Sequence, residues 1–272
     1  MKWIKKSMIY LILTVAAVVV LFPILWVFLT AMKSRVDTFA MPPVWIFMPR
    51  LQNYIELMSR YDYGRYFINT LIVVTSVSAV SIVTGTLAAY SITRFKIKQG
   101  RFILFWVLSI RMTPPVAGIL PIYIIISRMG LLDTRIALII ANLLFNIPLV
   151  MWLMRGFMIE LPEELEEAAM IDGCSRLGAF ARVILPLCVP GIVATATFVV
   201  IFTWNEFMYA LSLTGNISKT MPVAVMQFVT NRGIDWNKMA AAGSLSIIPI
   251  IIFTLLISKH LIRGLTLGAL KE

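Results

Sequence analysis

Six apolar stretches, each about the length of a membrane-spanning helix, constrain this chain more than any other feature. A helix needs about 20 mostly apolar residues to cross a hydrocarbon layer ~30 Å thick, because each residue adds about 1.5 Å. Charges and prolines delimit such stretches at residues 8–31, 66–92, 102–126, 136–154, 191–212 and 241–258. With 60% hydrophobic and 14% charged residues, the composition is far from that of a soluble domain. We expect an all-α membrane protein with six transmembrane helices, and not a β-barrel, whose strands would alternate apolar and polar residues.

The ends of the spans indicate how the chain is oriented. Lysines precede the first span, and basic residues from Arg94 to Arg101 crowd the short connection after the second. Positive charge in short loops favours the cytoplasmic side, so six spans place both termini in the cytoplasm. The first span is longer than the core of a secretory signal, so we expect it to be retained. We attribute the net charge of +11 to contact with anionic lipid, not to nucleic acid.

The segment ELPEELEEAAMIDG, from Glu160 to Gly173, holds six of the 13 acidic residues. It lies between the fourth and fifth spans, on the expected cytoplasmic side. Gly173 suits the left-handed conformation that ends a helix. Ala168 and Ala169 are expected to share one face with Leu165, where their small side chains would let another surface approach closely. These features predict a docking site, and the alternative is an amphipathic loop whose acids keep it in water.

A second short helix is expected to follow, with Ser175 as its N-cap. Its apolar stripe would consist of Leu177, Phe180, Ala181 and Ile184, and Pro186 and Pro190 are expected to end it.

The spacing within this loop resembles the cytoplasmic signature of ABC-importer permease subunits. That pattern is Glu-Ala-Ala, three residues, Gly, nine residues, and Ile-x-Leu-Pro, and the chain departs from it only at Val183. Other features resemble the carbohydrate-uptake branch, specifically its maltose-type second permease, over nearly the whole chain. They are Asn53-Tyr54, RMTPP from Arg111, LPIY from Leu120, LLDT from Leu131, WNEF from Trp204 and RGLTLGALKE at the C-terminus.

The resemblance implies one permease domain over residues 1–272 with the type I importer (MetI-like) fold. A coupling loop would cover about 156–190, and a cytoplasmic tail about 259–272 would reach toward an ATPase dimer. A second permease, that ATPase dimer and an extracytoplasmic solute-binding protein would be the partners, besides membrane lipid. ATP and Mg would bind to the ATPase and none to this chain. The implied ATPase-coupling residues are Glu167, Ala168, Ala169, Asp172, Gly173, Phe180 and Pro186.

Polar residues within the spans are candidates for the translocation pathway or its gate. Arg111 lies near the middle of the third span, where a charge is costly, so it is expected to face the bundle interior, a partner carboxylate or water. Glu206 is one candidate partner. Trp204 and Asn205 offer the ring and the amide that a sugar site uses. For Asn205 and Glu206 we favour a role in tying helices together or gating the pathway over direct contact with the cargo.

Other signals are weak. GNISKT at Gly215 lacks the second glycine of a phosphate loop, and Cys174, Cys188 and His260 do not have metal-ligand spacing.

The sequence thus predicts a transport subunit without catalysis of its own, for an oligosaccharide, monosaccharide, polyol or glycerol-phosphate ester. The alternatives are a self-sufficient ion-driven transporter, which would usually carry more intramembrane carboxylates, and an intramembrane enzyme, which would need a catalytic set.

Overall fold

A computed structural model describes residues 2–95, 97–231 and 233–266, with the backbone alone described for Lys2, Ile4 and residues 258–266. The described chain is predominantly helical. Its α-helices are α1 Lys2–Met32, α2 Arg35–Phe39, α3 Gln52–Arg60, α4 Tyr63–Arg94, α5 Gly100–Met112, α6 Pro115–Arg128, α7 Arg135–Ile159, α8 Glu164–Ile171, α9 Arg176–Ala179, α10 Leu185–Leu187, α11 Val189–Trp204, α12 Met208–Leu213, α13 Met221–Val225 and α14 Trp236–Thr266. A π turn covers Phe180–Ile184, a 3₁₀ turn covers Met226–Phe228, and Val229–Thr230 (β1) pairs antiparallel with Gly233–Ile234 (β2).

Four of these helices contain segments long and apolar enough to cross a membrane. The segments are Lys5–Met32, Tyr63–Arg94, Arg135–Ile159 and Trp236–Ile257. Two further segments are bent pairs, Gly100–Met112 with Pro115–Arg128 at 94° and Arg176–Leu187 with Val189–Trp204 at 75°. The described chain therefore has six candidate spans when each bent pair counts as one, which agrees with the predicted fold class.

The third predicted span, 102–126, is two helices and not one. Thr113 and Pro114 have extended backbones, with ψ angles of 127° and 131°. Each precedes a proline, and the ring of the following residue disfavours the helical conformation at that position. The bend therefore follows directly from the Pro114-Pro115 pair.

The fifth predicted span also has different limits. Helix α11 ends at Trp204, Asn205 is not helical, and α12 starts only at Met208. The helical stretch Arg176–Leu187 ends between Pro186 and Pro190, with a bend of 75° to α11, so the predicted end of this helix is confirmed in position. Pro186 lies inside the stretch, in α10, whereas Pro190 lies in the first turn of α11, where the missing N–H of proline costs no intrahelical hydrogen bond.

Contacts divide the described chain into two compact units. The first comprises the described parts of Met1–Tyr66 and Met221–Ile251, and the second those of Phe67–Thr220 and Ile252–Glu272. The single permease domain over 1–272 stays a prediction.

In the first unit, polar side chains connect the end of α1, helix α3 and the start of α14. The Asn237 amide donates to the carbonyl oxygens of Thr30 and Lys33, at 3.1 and 2.9 Å. The Tyr63 hydroxyl donates to the Ala242 carbonyl at 2.8 Å, and Lys238 pairs with Glu56 at 3.1 Å. These bonds hold the start of α14, which follows the short β1–β2 hairpin.

In the second unit, α7 packs against both α5 and α11. Its inward side carries Met154 and Met158, which are fully buried, and the amides of Asn142 and Asn146. The Asn146 amide donates to the Thr203 hydroxyl on α11 at 3.3 Å. Helix α7 is therefore the interior support of this unit.

Candidate functional site

The turn between α8 and α9 has the conformation that the sequence predicts. Gly173 has a φ of +91°, and the Cys174 N–H donates to the Ala169 carbonyl at 3.0 Å, which are features of a glycine-ended helix. The Ser175 hydroxyl accepts the Gly178 N–H at 3.2 Å. The predicted roles of Gly173 as a helix terminator and Ser175 as an N-cap are confirmed.

The two adjacent alanines do not share a face. Ala168 is exposed together with Glu167 and Asp172, whereas Ala169 is buried within this chain. Ala169 follows the buried Glu166 by three residues, a spacing that places both on the inner side of α8. The expectation that both alanines pack against another protein is wrong for Ala169.

The predicted stripe on the second helix is divided in the same way. Phe180 and Ile184 are buried, but Leu177 is 70% exposed and Ala181 is exposed. The Leu185 N–H donates to the carbonyl of Phe180, five positions earlier, and so closes a π turn. That wider turn shifts the periodicity on which the prediction relied. Pro186 is exposed at the end of this turn.

An exposed surface remains on this loop, formed by Glu167, Ala168, Ile171, Asp172 and Leu177; we call it the outer face. Ile171 is 86% and Leu177 is 70% exposed. The loop thus exposes two large aliphatic side chains together with two carboxylates, a combination suited to contact with another protein.

The inner side of the loop holds a buried ion pair that the sequence analysis missed. Arg94, the last residue of α4, lies 3.3 Å from the carboxylate of Glu166, and their side chains are 6% and 5% exposed. The Tyr90 hydroxyl donates to the same carboxylate, and a second Arg94 nitrogen donates to the Leu161 carbonyl at 2.8 Å. We call Tyr90, Arg94 and Glu166 the anchor cluster.

The polar residues predicted within the membrane converge on a second site. Arg111, Asn205 and Glu206 line one cavity of about 400 Å³. The Arg111 guanidinium donates to the Phe145 carbonyl at 3.3 Å and lies 4.4 Å from the centre of the Phe202 ring. Within the described residues it forms no ion pair with Glu206, so their predicted pairing is absent from this part of the structure.

The carboxylate of Glu206 is hydrogen-bonded to the backbone of the residues that follow it. Its two carboxylate oxygens accept the N–H groups of Tyr209 and Ala210, at 2.7 and 3.0 Å, which caps the first turn of α12. The Asn205 amide donates to the carbonyl of Ile201 in its own helix at 2.8 Å and is exposed. Of the two, Asn205 has the side chain that is less constrained by the fold.

Trp204 does not line the cavity. It is buried and packs edge-on against Phe67, with ring centres 6.2 Å apart. Aromatic rings at the cavity come instead from Phe145 and Tyr209, which stack with centres 5.3 Å apart. Asn142 and Asn146 also line it, and their spacing of four within the apolar run of α7 is the sequence signal that could have identified this wall.

The GNISKT loop at Gly215 encloses a carboxylate of the chain itself. Asp133 accepts backbone N–H groups from Gly215, Asn216, Ile217 and Ser218, at distances of 2.8 to 3.1 Å. Burial by itself would raise the pKa of Asp133, but these hydrogen bonds outweigh it and lower the pKa to about 2. The N–H groups of this loop are therefore occupied by the carboxylate of Asp133 and not free to bind a phosphate, which agrees with the rejection of a phosphate loop.

Comparison with known proteins identifies the family. The model of the family "Binding-protein-dependent transport system inner membrane component" matches residues 81–267. The chain belongs to this family.

Relatives of this permease match it over almost its full length. It is 41% identical over 258 residues to a probable ABC transporter permease, y4oR, of Sinorhizobium fredii, covering 94% of this chain and 92% of the relative. It is 32% identical over 272 residues to the trehalose/maltose transport system permease MalG of Thermococcus litoralis, covering 98% of each. The predicted membership of the carbohydrate-uptake branch is confirmed.

Solved structures confirm the fold of the permease. A chain of a bacterial ABC transporter that imports alginate superposes with a TM-score of 0.76 at 22% identity, covering 94% of this chain and 96% of that one. A chain of the MetNI methionine transporter gives 0.61 at 15% identity, covering 80% and 99%. The family and the relatives show that the chain is a permease subunit of ATP-binding-cassette import, and the alternative of an ion-driven transporter is not favoured.

Proposed function

We propose that this permease imports a carbohydrate, and that it does so only as part of a larger complex. A second permease would complete the pathway, an ATPase dimer that binds ATP and Mg would supply the energy, and an extracytoplasmic solute-binding protein would deliver the cargo. The loop from 156 to 190 and both termini would lie in the cytoplasm of a bacterial-type inner membrane. Residues 267–272 of the predicted tail lie outside the described residues, and the backbone of 259–266 continues α14.

The observation that carries the proposal is the outer face of the loop. Ile171 and Leu177 expose most of their surface, and burying them against a partner would be favourable by about 25 cal/mol for each Å² removed from water. Glu167 and Asp172 at the edge would pair with basic groups of that partner. Gly173, which holds the turn between the two helices, would keep these residues in one surface.

Carbohydrate cargo is supported by the relatives and by the cavity. Besides the trehalose/maltose permease, the relatives include a sulfoquinovosyl glycerol permease of Agrobacterium fabrum at 30% identity and a diacetylchitobiose permease of Streptomyces coelicolor at 33%. The cavity combines amides with the rings of Phe145 and Tyr209. Amides hydrogen-bond hydroxyl groups and ring faces cover apolar sugar surfaces, so this lining suits a polyhydroxylated cargo.

A charge reversal tests the docking role. Glu167→Arg is expected to reduce recovery of the ATPase dimer with the permease, measured by native mass spectrometry of the complex purified from its own membrane. Glu160→Arg is the matched control, because Glu160 is also exposed in the same acidic segment but lies outside the outer face. Equal recovery of the ATPase with both variants would contradict the docking role.

A direct test of the whole proposal is the composition of the purified complex. A second permease and two ATPase copies are expected beside this chain. A particle that contains this chain alone and still transports sugars in liposomes without ATP would overturn the proposal.

A further inference from the structure

The anchor cluster connects the coupling loop to one transmembrane helix through charges that are withdrawn from water. Arg94 and Glu166 are 72 residues apart in the sequence, yet their side chains pair at 3.3 Å and are each about 95% buried. A buried charge is expensive unless it is paired and hydrogen-bonded. The pair therefore resists separation far more strongly than an exposed ion pair would.

Each charged group of the cluster makes more than one polar contact. Besides Glu166, the Arg94 guanidinium binds the Leu161 carbonyl at 2.8 Å, just before α8. The Tyr90 hydroxyl donates to Glu166, and the Tyr90 ring packs on Phe180 of the π turn with centres 4.5 Å apart. The start of α8 and the start of the π turn are thus held by residues of one helix, α4.

Glu163 provides an internal comparison. It also pairs with Arg94, at 3.7 Å, but its side chain is 60% exposed. An exposed pair contributes little because water and salt screen it. Of these two carboxylates, Glu166 is therefore the one that can transmit a displacement between the loop and α4.

The lengths and positions of the two helices indicate how a movement would be transmitted. Helix α8 has only eight residues and ends in the Gly173 turn, whereas α4 has 32 residues and is long enough to cross the membrane. Arg94 is the last residue of α4, and Glu166 is in the first turn of α8. A displacement of α8 is therefore passed to the end of a transmembrane helix.

We propose that Tyr90, Arg94 and Glu166 are positioning residues that transmit movement of the coupling loop to α4. This inference rests on the proposed function, in which an ATPase moves the loop. Without the cluster, the ATPase would still dock on the outer face and still hydrolyse ATP, but the loop would move without moving α4.

The test separates ATP hydrolysis from the conformational change. Spin labels are placed at Asp62→Cys and Arg128→Cys, two exposed positions on the expected outer side, in a chain with Cys174→Ser and Cys188→Ala. The distance between the labels is measured in the assembled complex without nucleotide and with ATP in EDTA, which permits binding without hydrolysis. Hydrolysis of Mg-ATP is measured in parallel.

We expect ATP to change the distance when the cluster is intact. Glu166→Gln should abolish that change while assembly and ATP hydrolysis persist. Glu163→Gln, which removes the exposed charge from the same arginine, should leave the change intact. The inference is overturned if Glu166→Gln responds to ATP as the parent does, or if the two glutamate variants respond alike.

Assembly failure is addressed by a second variant. Arg94→Gln combined with Glu166→Gln removes both charges, so no unpaired charge stays buried. If this double variant assembles and hydrolyses ATP without the distance change, the inference holds; if it too fails to assemble, the cluster serves folding only and the inference is wrong. An intact-cluster complex that shows no response to ATP would instead contradict the proposed function.

Discussion

Asp133 and Ser218 are joined by two hydrogen bonds to the same oxygen. The Oδ1 atom of Asp133 accepts the backbone N–H of Ser218 and its hydroxyl, each at 2.9 Å. The three residues before Ser218 also donate their N–H groups to this carboxylate: Gly215 to Oδ1, Asn216 to Oδ2 and Ile217 to both. One side chain thus closes the loop after α12 onto the loop between α6 and α7.

Asp133→Asn should lower the thermal stability of the purified complex. The amide group keeps one acceptor oxygen but loses the charge, and hydrogen bonds to a charged group contribute about 1.5–3 kcal/mol. We expect a fall of several degrees in the unfolding temperature. Asp62→Asn is the control, since Asp62 also has a positive φ of 50° but is 71% exposed and forms one ion pair with Arg65; an equal fall there would contradict the assignment.

The same carboxylate predicts a pH dependence. Because hydrogen bonds overcome the effect of burial and lower the pKa of Asp133 from 3.8 to about 2, its stabilising effect is complete above about pH 4 and is lost as the pH falls toward 2. Unfolding temperatures measured between pH 5 and 2.5 should therefore fall more steeply for the parent than for Asp133→Asn. Parallel curves would show that Asp133 is not the responsible group.

Gly85→Ala should destabilise the second unit. A Cβ atom at Gly85 would lie 2.6 Å from the Cβ of Val150 and 3.2 Å from the Ile147 carbonyl, so α4 and α7 would have to separate. Overpacking of this kind costs about 1–3 kcal/mol, to be measured as reduced thermal stability. Gly156→Ala is the matched control, because a Cβ there meets no described atom within 4 Å; it should be neutral or stabilising by up to about 1 kcal/mol.

Gly173→Val should weaken coupling to the ATPase. A non-glycine residue with the φ of +91° found here costs about 1–2 kcal/mol, so the turn would relax and the outer face would lose its shape. We expect reduced assembly and reduced substrate-stimulated ATP hydrolysis. Ala181→Val, at an exposed position on the same loop, should change neither; unchanged assembly and hydrolysis in Gly173→Val would refute the role of the turn.

Glu206→Ala should disturb the cavity more than Asn205→Ala does. It leaves two N–H groups of α12 without their cap, at a cost of about 0.5–2 kcal/mol, and loosens Tyr209, whose hydroxyl donates to the Pro115 carbonyl at 3.0 Å. Glu206→Gln, with one acceptor oxygen, should be intermediate. Thermal stability and sugar import are measured together: lost import at unchanged stability in Asn205→Ala would assign that amide to cargo contact.

The spans and the Gly173 turn could be predicted because they depend on neighbouring residues. A run of apolar side chains identifies a membrane helix wherever it packs, and a glycine followed by a capping serine defines a turn locally. The Pro114-Pro115 pair is also a local feature, and it accounts for the break in the third span. Its angle of 94° depends on packing against other helices and could not be read from two prolines.

The anchor cluster could not be predicted, because nothing local distinguishes Glu166 from the other five acids in its segment. Its burial depends on Arg94, which is brought close only by the fold. Similarly, WNEF suggested a sugar-stacking Trp204, yet the ring faces Phe67. Three consecutive residues at a helix end point in different directions, and the direction of each is set by distant contacts.

The break between α5 and α6 also bears on how the chain is made. The two helices have 13 and 14 residues, about 20 Å each, so neither half alone matches a hydrocarbon layer of ~30 Å. Their packing partners, α7 and α12, are synthesised later. We expect this segment to enter the bilayer incompletely during translation and to reach its final depth only after the ribosome has passed Leu213.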